Sequence, residues 1–134
     1  MPENPEPLAA KQTLLLILLP LLVTFVGLRL YLHLVRVRHI YPGGYLVHHL
    51  FIGTLILIPA SFLVAFSKRP RWQHVLATAA VGIGSALILD EFTYLVATQG
   101  TDADYVSPVS LFGAIVCIAL AVALLLVLYV FHRD

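Results

Sequence analysis

The chain has 134 residues, 60% of them hydrophobic and only 11% charged, with a mean hydropathy of +0.96. A water-soluble domain carries roughly a quarter charged residues, so a surface this poor in charge would aggregate in water, and lipid is the expected solvent. The net charge of +1 leaves no electrostatic footprint for nucleic acid, and the length fits a single integral membrane domain over residues 1–134 with no soluble catalytic domain beside it.

The N-terminal stretch MPENPEPLAAK is polar and proline-rich, unlike the basic start of a secretory signal. The apolar run after it ends in Arg36, Arg38 and His39 without a small-residue cleavage pattern, so a retained membrane span is expected. Crossing about 30 Å of hydrocarbon takes about 20 apolar residues. Four stretches qualify: residues 13–34 with Pro20, 47–66 with Pro59, 73–98, and 109–131. Neighbouring helices can satisfy the carbonyl that an internal proline frees.

The connections are short. The first holds Tyr41-Pro42-Gly43-Gly44-Tyr45, the second Ser67-Lys68-Arg69-Pro70-Arg71-Trp72, and the third is acidic through Asp102 and Asp104. Such links predict an all-α, four-transmembrane-helix up-down-up-down bundle. The side carrying both termini holds Lys11, Lys68, Arg69, Arg71 and Arg133, against Arg36 and Arg38 opposite. The positive-inside rule then places both termini in the cytoplasm of a cell membrane.

Ionisable residues inside spans are rare and costly, and therefore mark candidate sites. Here they are His48 and His49 at the start of the second span, Asp90 and Glu91 in the third, and Arg29 in the first. Counted from the cytoplasmic ends at about 1.5 Å per residue, Arg29, His48 and Asp90 lie about 24 to 28 Å up their helices, nearly one level. The matching level on the fourth span falls near Phe112 and Gly113. Thr78, Gly82, Ala86, Asp90 and Tyr94 recur every four residues, a stripe that aims Asp90 into the bundle and lets another helix approach closely. Neighbours in a helix diverge by about 100°, so His48 and His49, like Asp90 and Glu91, can line two sides of one pocket.

Two imidazoles and two carboxylates suit a divalent cation such as zinc, iron or manganese. His48, His49, Asp90 and Glu91 are the candidate metal ligands, with Arg29 and Tyr94 behind them. Their spacing matches no named metal signature. A catalytic version would be metal-assisted chemistry on a lipid or isoprenoid arriving through the bilayer. The competing expectation is a non-catalytic membrane subunit or scaffold with an ion-paired cluster, binding a membrane-protein partner or a second copy through the small-residue stripe. A transmembrane proton path is disfavoured, because the cytoplasmic halves of the spans hold no deep acid or histidine.

Other features carry less. Asp102, Asp104 and Ser107 lack the glycine and distal glutamate of an EF-hand loop. Arg29, His33 and Arg36 share a helical face and either snorkel to headgroups or meet the acids. Cys117, the one cysteine, reads as a small core hydrophobe.

The segments Val47-His48-His49-Leu50-Phe51-Ile52-Gly53 and Gly82-Ile83-Gly84-Ser85-Ala86-Leu87-Ile88-Leu89-Asp90-Glu91-Phe92 resemble an uncharacterised family of small bacterial four-span membrane proteins. That family has a His-His-x-x-x-Gly span and a Leu-Asp-Glu-Phe span. Its pattern has a further histidine two positions before the pair, where this chain has Leu46. The resemblance implies membrane topology and a bacterial source, and it implies no activity.

Overall fold

The computed structural model of the chain describes residues 8–35, 47–66 and 70–132. These residues form five helices: α1 (Ala10–Leu34), α2 (His49–Ala65), α3 (Arg71–Ala97), the four-residue α4 (Asp102–Tyr105) and α5 (Pro108–His132). The first connection, with Arg36, Arg38 and the Tyr41–Tyr45 turn, lies outside them, as do Lys68, Arg69 and Arg133.

Sequence chemistry sets the ends. Pro108 opens α5 and Pro70 immediately precedes α3. Both are places where a missing N–H breaks no helical hydrogen bond. Pro20 and Pro59 sit within α1 and α2. The helices α1, α3 and α5 are long and apolar enough to cross a membrane, whereas α2, with 17 residues, is shorter. At about 1.5 Å per residue α2 extends about 26 Å. The composition is that of a membrane protein. Leu34, Leu55, Phe66 and Phe131 stand exposed on the outer surface, as they would against lipid.

Contacts fix the directions. Gln12 meets Arg71, Ile17 faces Gly82, and Arg29 reaches Asp90, so α1 and α3 run parallel. His49 pairs with Asp90 and Gly53 with Gly84, so α2 runs against α3. Ser110 reaches Arg29, while Tyr129 and Thr13 line one groove, so α5 runs against α1. The helix directions therefore alternate as expected.

The arrangement is not a ring of four. Helix α3 is a hub that packs against α1, α2 and α5, and α1 also touches α5. Among the described residues, α2 approaches no long helix except α3. The reason is the run of small residues on α3. Gly84 lies against Gly53 so closely that a Cβ on either would stand 2.8 Å from the other's carbonyl oxygen. Gly82 presses on the Ile17 carbonyl and Gly113 of α5 on the Thr93 side chain. Thr78, Gly82, Ala86, Asp90 and Tyr94 are all buried. The stripe aims Asp90 inward and is covered by the chain's own helices.

Glycines in these crossings and the glycine outside them should therefore respond differently to bulk. Gly82→Leu is expected to cost about 1 to 3 kcal/mol by overpacking. Gly27→Leu, placed where a Cβ meets nothing within 4 Å, should stay within about 0.5 kcal/mol. Unfolding in mixed detergent, followed by circular dichroism, measures both.

Candidate functional site

Asp90 and Glu91 occupy the last third of α3, and their one-residue offset turns them toward different neighbours. Asp90 faces α1 and α4. Arg29 donates from Nε to Asp90 Oδ1 and from Nη2 to the Asp90 carbonyl at 3.0 Å. Nη1 donates to the Tyr105 carbonyl at 3.1 Å, and Nη2 also donates to Ser110 Oγ at 3.2 Å. The Tyr105 hydroxyl donates to Asp90 Oδ2, and His49 Nε2 lies 3.0 Å from the same oxygen. Arg29 thus ties together α1, α3, α4 and α5.

Glu91 faces α2. Its Oε2 accepts the Leu50 backbone N–H at 2.8 Å, and its Oε1 lies 2.5 Å from His48 Nδ1. His49 Nδ1 is 3.4 Å from Oε2, so the His49 ring is flanked by both carboxylates. Leu50 belongs to the first turn of α2, where N–H groups have no helical partner. The residue before that helix, His48, supplies no side-chain cap. Glu91 therefore caps α2 from a neighbouring helix, with its negative charge at the positive end of the dipole.

Aromatic rings close the site. Tyr105 stands edge-on to His49 at 5.5 Å and to Tyr94 at 5.1 Å, with the Arg29 guanidinium 4.9 Å over its ring. The geometry fits ring quadrupoles and a cation over an aromatic face. Tyr105 is held there by α4, whose start is a capping box between Thr101 and Asp104. Hydrogen bonds from the Thr101 hydroxyl and then the Thr101 backbone N–H hold the Asp104 carboxyl below its ordinary range. Tyr94 donates its hydroxyl to the Gly100 carbonyl at 2.7 Å. At Gly100 the chain turns with φ +78°, a conformation that glycine adopts without penalty.

Asp90 is fully buried and Glu91 nearly so. Among the described residues no buried side-chain polar atom lacks a hydrogen-bond partner. Nor does any group of three or more His, Cys, Asp or Glu side chains there have the arrangement to hold a metal ion. The oxygens that would face a cation are turned to Arg29, Tyr105, the imidazoles and the Leu50 N–H. Each carboxylate is thus paired with donors from neighbouring helices.

The structure brings together His48, His49, Asp90, Glu91 and Arg29, the five residues placed at one depth by counting. Tyr94 lies beside them, 6.1 Å ring to ring from His48. Arg29 takes the inward course, while His33 is exposed. Near the level expected at Phe112 and Gly113, Phe112 is 70% exposed and Gly113 packs on Thr93, so neither enters the site. Ser110 and Tyr105 supply that side. Tyr105 had one signal, being the only aromatic residue in the third connection.

Removing one partner of a buried pair leaves the other charge stranded, at about 3 to 5 kcal/mol. Asp90→Ala should lose that much stability in detergent unfolding, and Tyr105→Phe, which removes one hydroxyl, about 1 kcal/mol. Equal losses for the two would contradict a site centred on Arg29 and Asp90. No family model, no curated protein and no solved structure matches this chain, so the resemblance rests on the two quoted segments alone.

Proposed function

We propose that the chain crosses a cell membrane four times and acts as a non-catalytic subunit or scaffold, with its polar cluster as a structural clamp. The observation that carries this is that each charged or imidazole group of the cluster has a partner on a neighbouring helix. Both carboxylates, the guanidinium and the flanking imidazoles have protein partners, so catalytic attack or ion capture would first have to break the contacts that hold the helices. A scaffold needs that rigidity, whereas a catalytic pocket needs a vacant position for its substrate.

The four-crossing topology adds α2 to the three longer helices. Seventeen residues reach the lower end of what a span needs, and the extended residue His48 lengthens it. Positive charge favours the end with both termini, where Lys11 adjoins the Gln12–Arg71 contact. The outer surface of α1, α2 and α5 is mostly apolar between the helix ends, which suits lipid or a membrane-embedded partner.

Two experiments test the proposal. A fluorescent protein fused after Asp134 should fluoresce, while alkaline phosphatase at the same position should stay inactive. Active phosphatase would reverse the orientation. Elemental analysis of detergent-purified protein should find no stoichiometric zinc, iron or manganese. A stoichiometric metal that disappears in His49→Ala would replace the clamp with a metal centre.

A further inference from the structure

Among the described residues α2 packs on α3 alone, while α1 and α5 also touch each other. Helix α2 therefore stands apart from that pair, and a groove of about 260 Å³ lies between them. Leu57 of α2 forms one wall, and Leu21 of α1 with Leu124 of α5 the other. The floor is α3, whose Val81, Ser85 and Ile88 share one helical face at i, i+4 and i+7. Apart from Ser85 the lining is hydrocarbon.

A hydroxyl within a helix either bonds the carbonyl four residues back or points away from its own backbone. Thr54, Ser61, Thr78 and Thr98 take the first course. Ser85 takes the second, and no described residue pairs with its hydroxyl. Every buried side-chain polar atom among the described residues has a partner, so this unpaired hydroxyl is accessible, and the groove is where it opens.

Depth selects what can meet it. Ser85 stands 14 residues after Arg71 and 12 before Ala97, or about 21 and 18 Å along the helix. In a hydrocarbon layer about 30 Å thick that is close to the midplane. A phospholipid offers only methylene and methyl groups there, since its ester oxygens lie at the edges of the layer. A helix about 10 Å across is too broad to enter a groove of this volume. No lining residue carries a charge, so the ligand is neutral. The volume falls just below the about 300 Å³ of the smallest ligand sites, which suits one ring with its tail left in the bilayer.

We propose that the groove binds a ring-bearing lipid of the quinone class, with a ring carbonyl accepting the Ser85 hydroxyl hydrogen. This goes beyond the scaffold role but rests on the membrane reading of the chain.

Native mass spectrometry of the full chain in detergent, incubated with a quinone bearing two isoprene units, tests it. One quinone should be retained per chain, and a benzene with the same tail but no carbonyl should be retained about fivefold less, as expected for one lost hydrogen bond. Ser85→Ala should cut quinone retention by the same factor and leave retention of the benzene unchanged. Leu124→Trp, which narrows the groove at a residue already 59% exposed, should lower retention of both. Leu126→Trp, on the other side of α5, should leave both as they were. Circular dichroism should give all three variants the wild-type melting temperature without ligand. Equal retention of quinone and benzene by the wild type, or of quinone by Ser85→Ala, overturns the proposal and leaves the membrane reading standing. So does a dimer that Leu124→Trp dissociates, which would give the groove to a second copy. A chain that stays dispersed in water without detergent would overturn both.

Discussion

The contact between Arg29 and Asp90 constrains everything around it. In a medium as poor in water as a bilayer core, neither group can be left alone without a penalty of several kcal/mol. Pairing them fixes how far α1 slides along α3. Because Arg29 has five donors in a planar fork, satisfying it also draws in the Tyr105 carbonyl and Ser110. The start of α5 and the connection before it are therefore positioned by the same guanidinium. Glu91, one residue on, performs the equivalent service for α2 through the Leu50 N–H and His48. A single Asp-Glu pair on α3 thus sets the register of every other long helix.

Polar contacts alone would not hold these helices, because lipid tails solvate apolar side chains as well as protein does and give no hydrophobic drive to association. Close van der Waals packing has to supply the rest, and α3 supplies it through Gly82, Gly84 and Ala86. The two devices depend on each other. Without the glycines α2 could not approach closely enough for His49 to reach Asp90. Without the acids the smooth glycine faces would leave the helices free to slide. Their combination on one helix explains why α3 is a hub instead of one member of a ring.

Much of this is legible in the sequence, and the unread part has physical causes. The long helices emerged because they are continuous apolar runs, and the ends of those runs fell within a few residues of the observed helices. The site emerged because charge is so costly in lipid that Arg29, His48, His49, Asp90 and Glu91 had to converge. Depth counting found them since a helix advances by a constant rise. On α5 the count gave the level to within a turn but not the residue, because α5 starts at Pro108 and contributes from its first turn, at Ser110. Tyr105 was missed for a related reason. It comes from a connection whose short α4 depends on a local Thr101–Asp104 cap, and no periodicity announces a four-residue helix. The hub also escaped prediction. Small residues on a helix reveal that something packs there, but not whether the neighbour is the chain's own helix or another protein.

The residue types in the cluster are those of a metal centre, and only their partners separate that role from a clamp. A metal-binding carboxylate keeps an oxygen lone pair aimed at the ion, and its imidazole ligands keep a bare nitrogen aimed there too. In this chain Asp90 gives one oxygen to a guanidinium and the other to a tyrosine hydroxyl and His49. Glu91 gives one oxygen to a helix N-terminus and the other to His48. A fixed positive charge beside Asp90 also opposes a second cation at the same place. Loading an ion would thus require uncapping α2 and stranding Arg29, two losses that the ion's own binding energy would have to offset. The two adjacent acids point at different helices, Asp90 at α1 and α4 and Glu91 at α2.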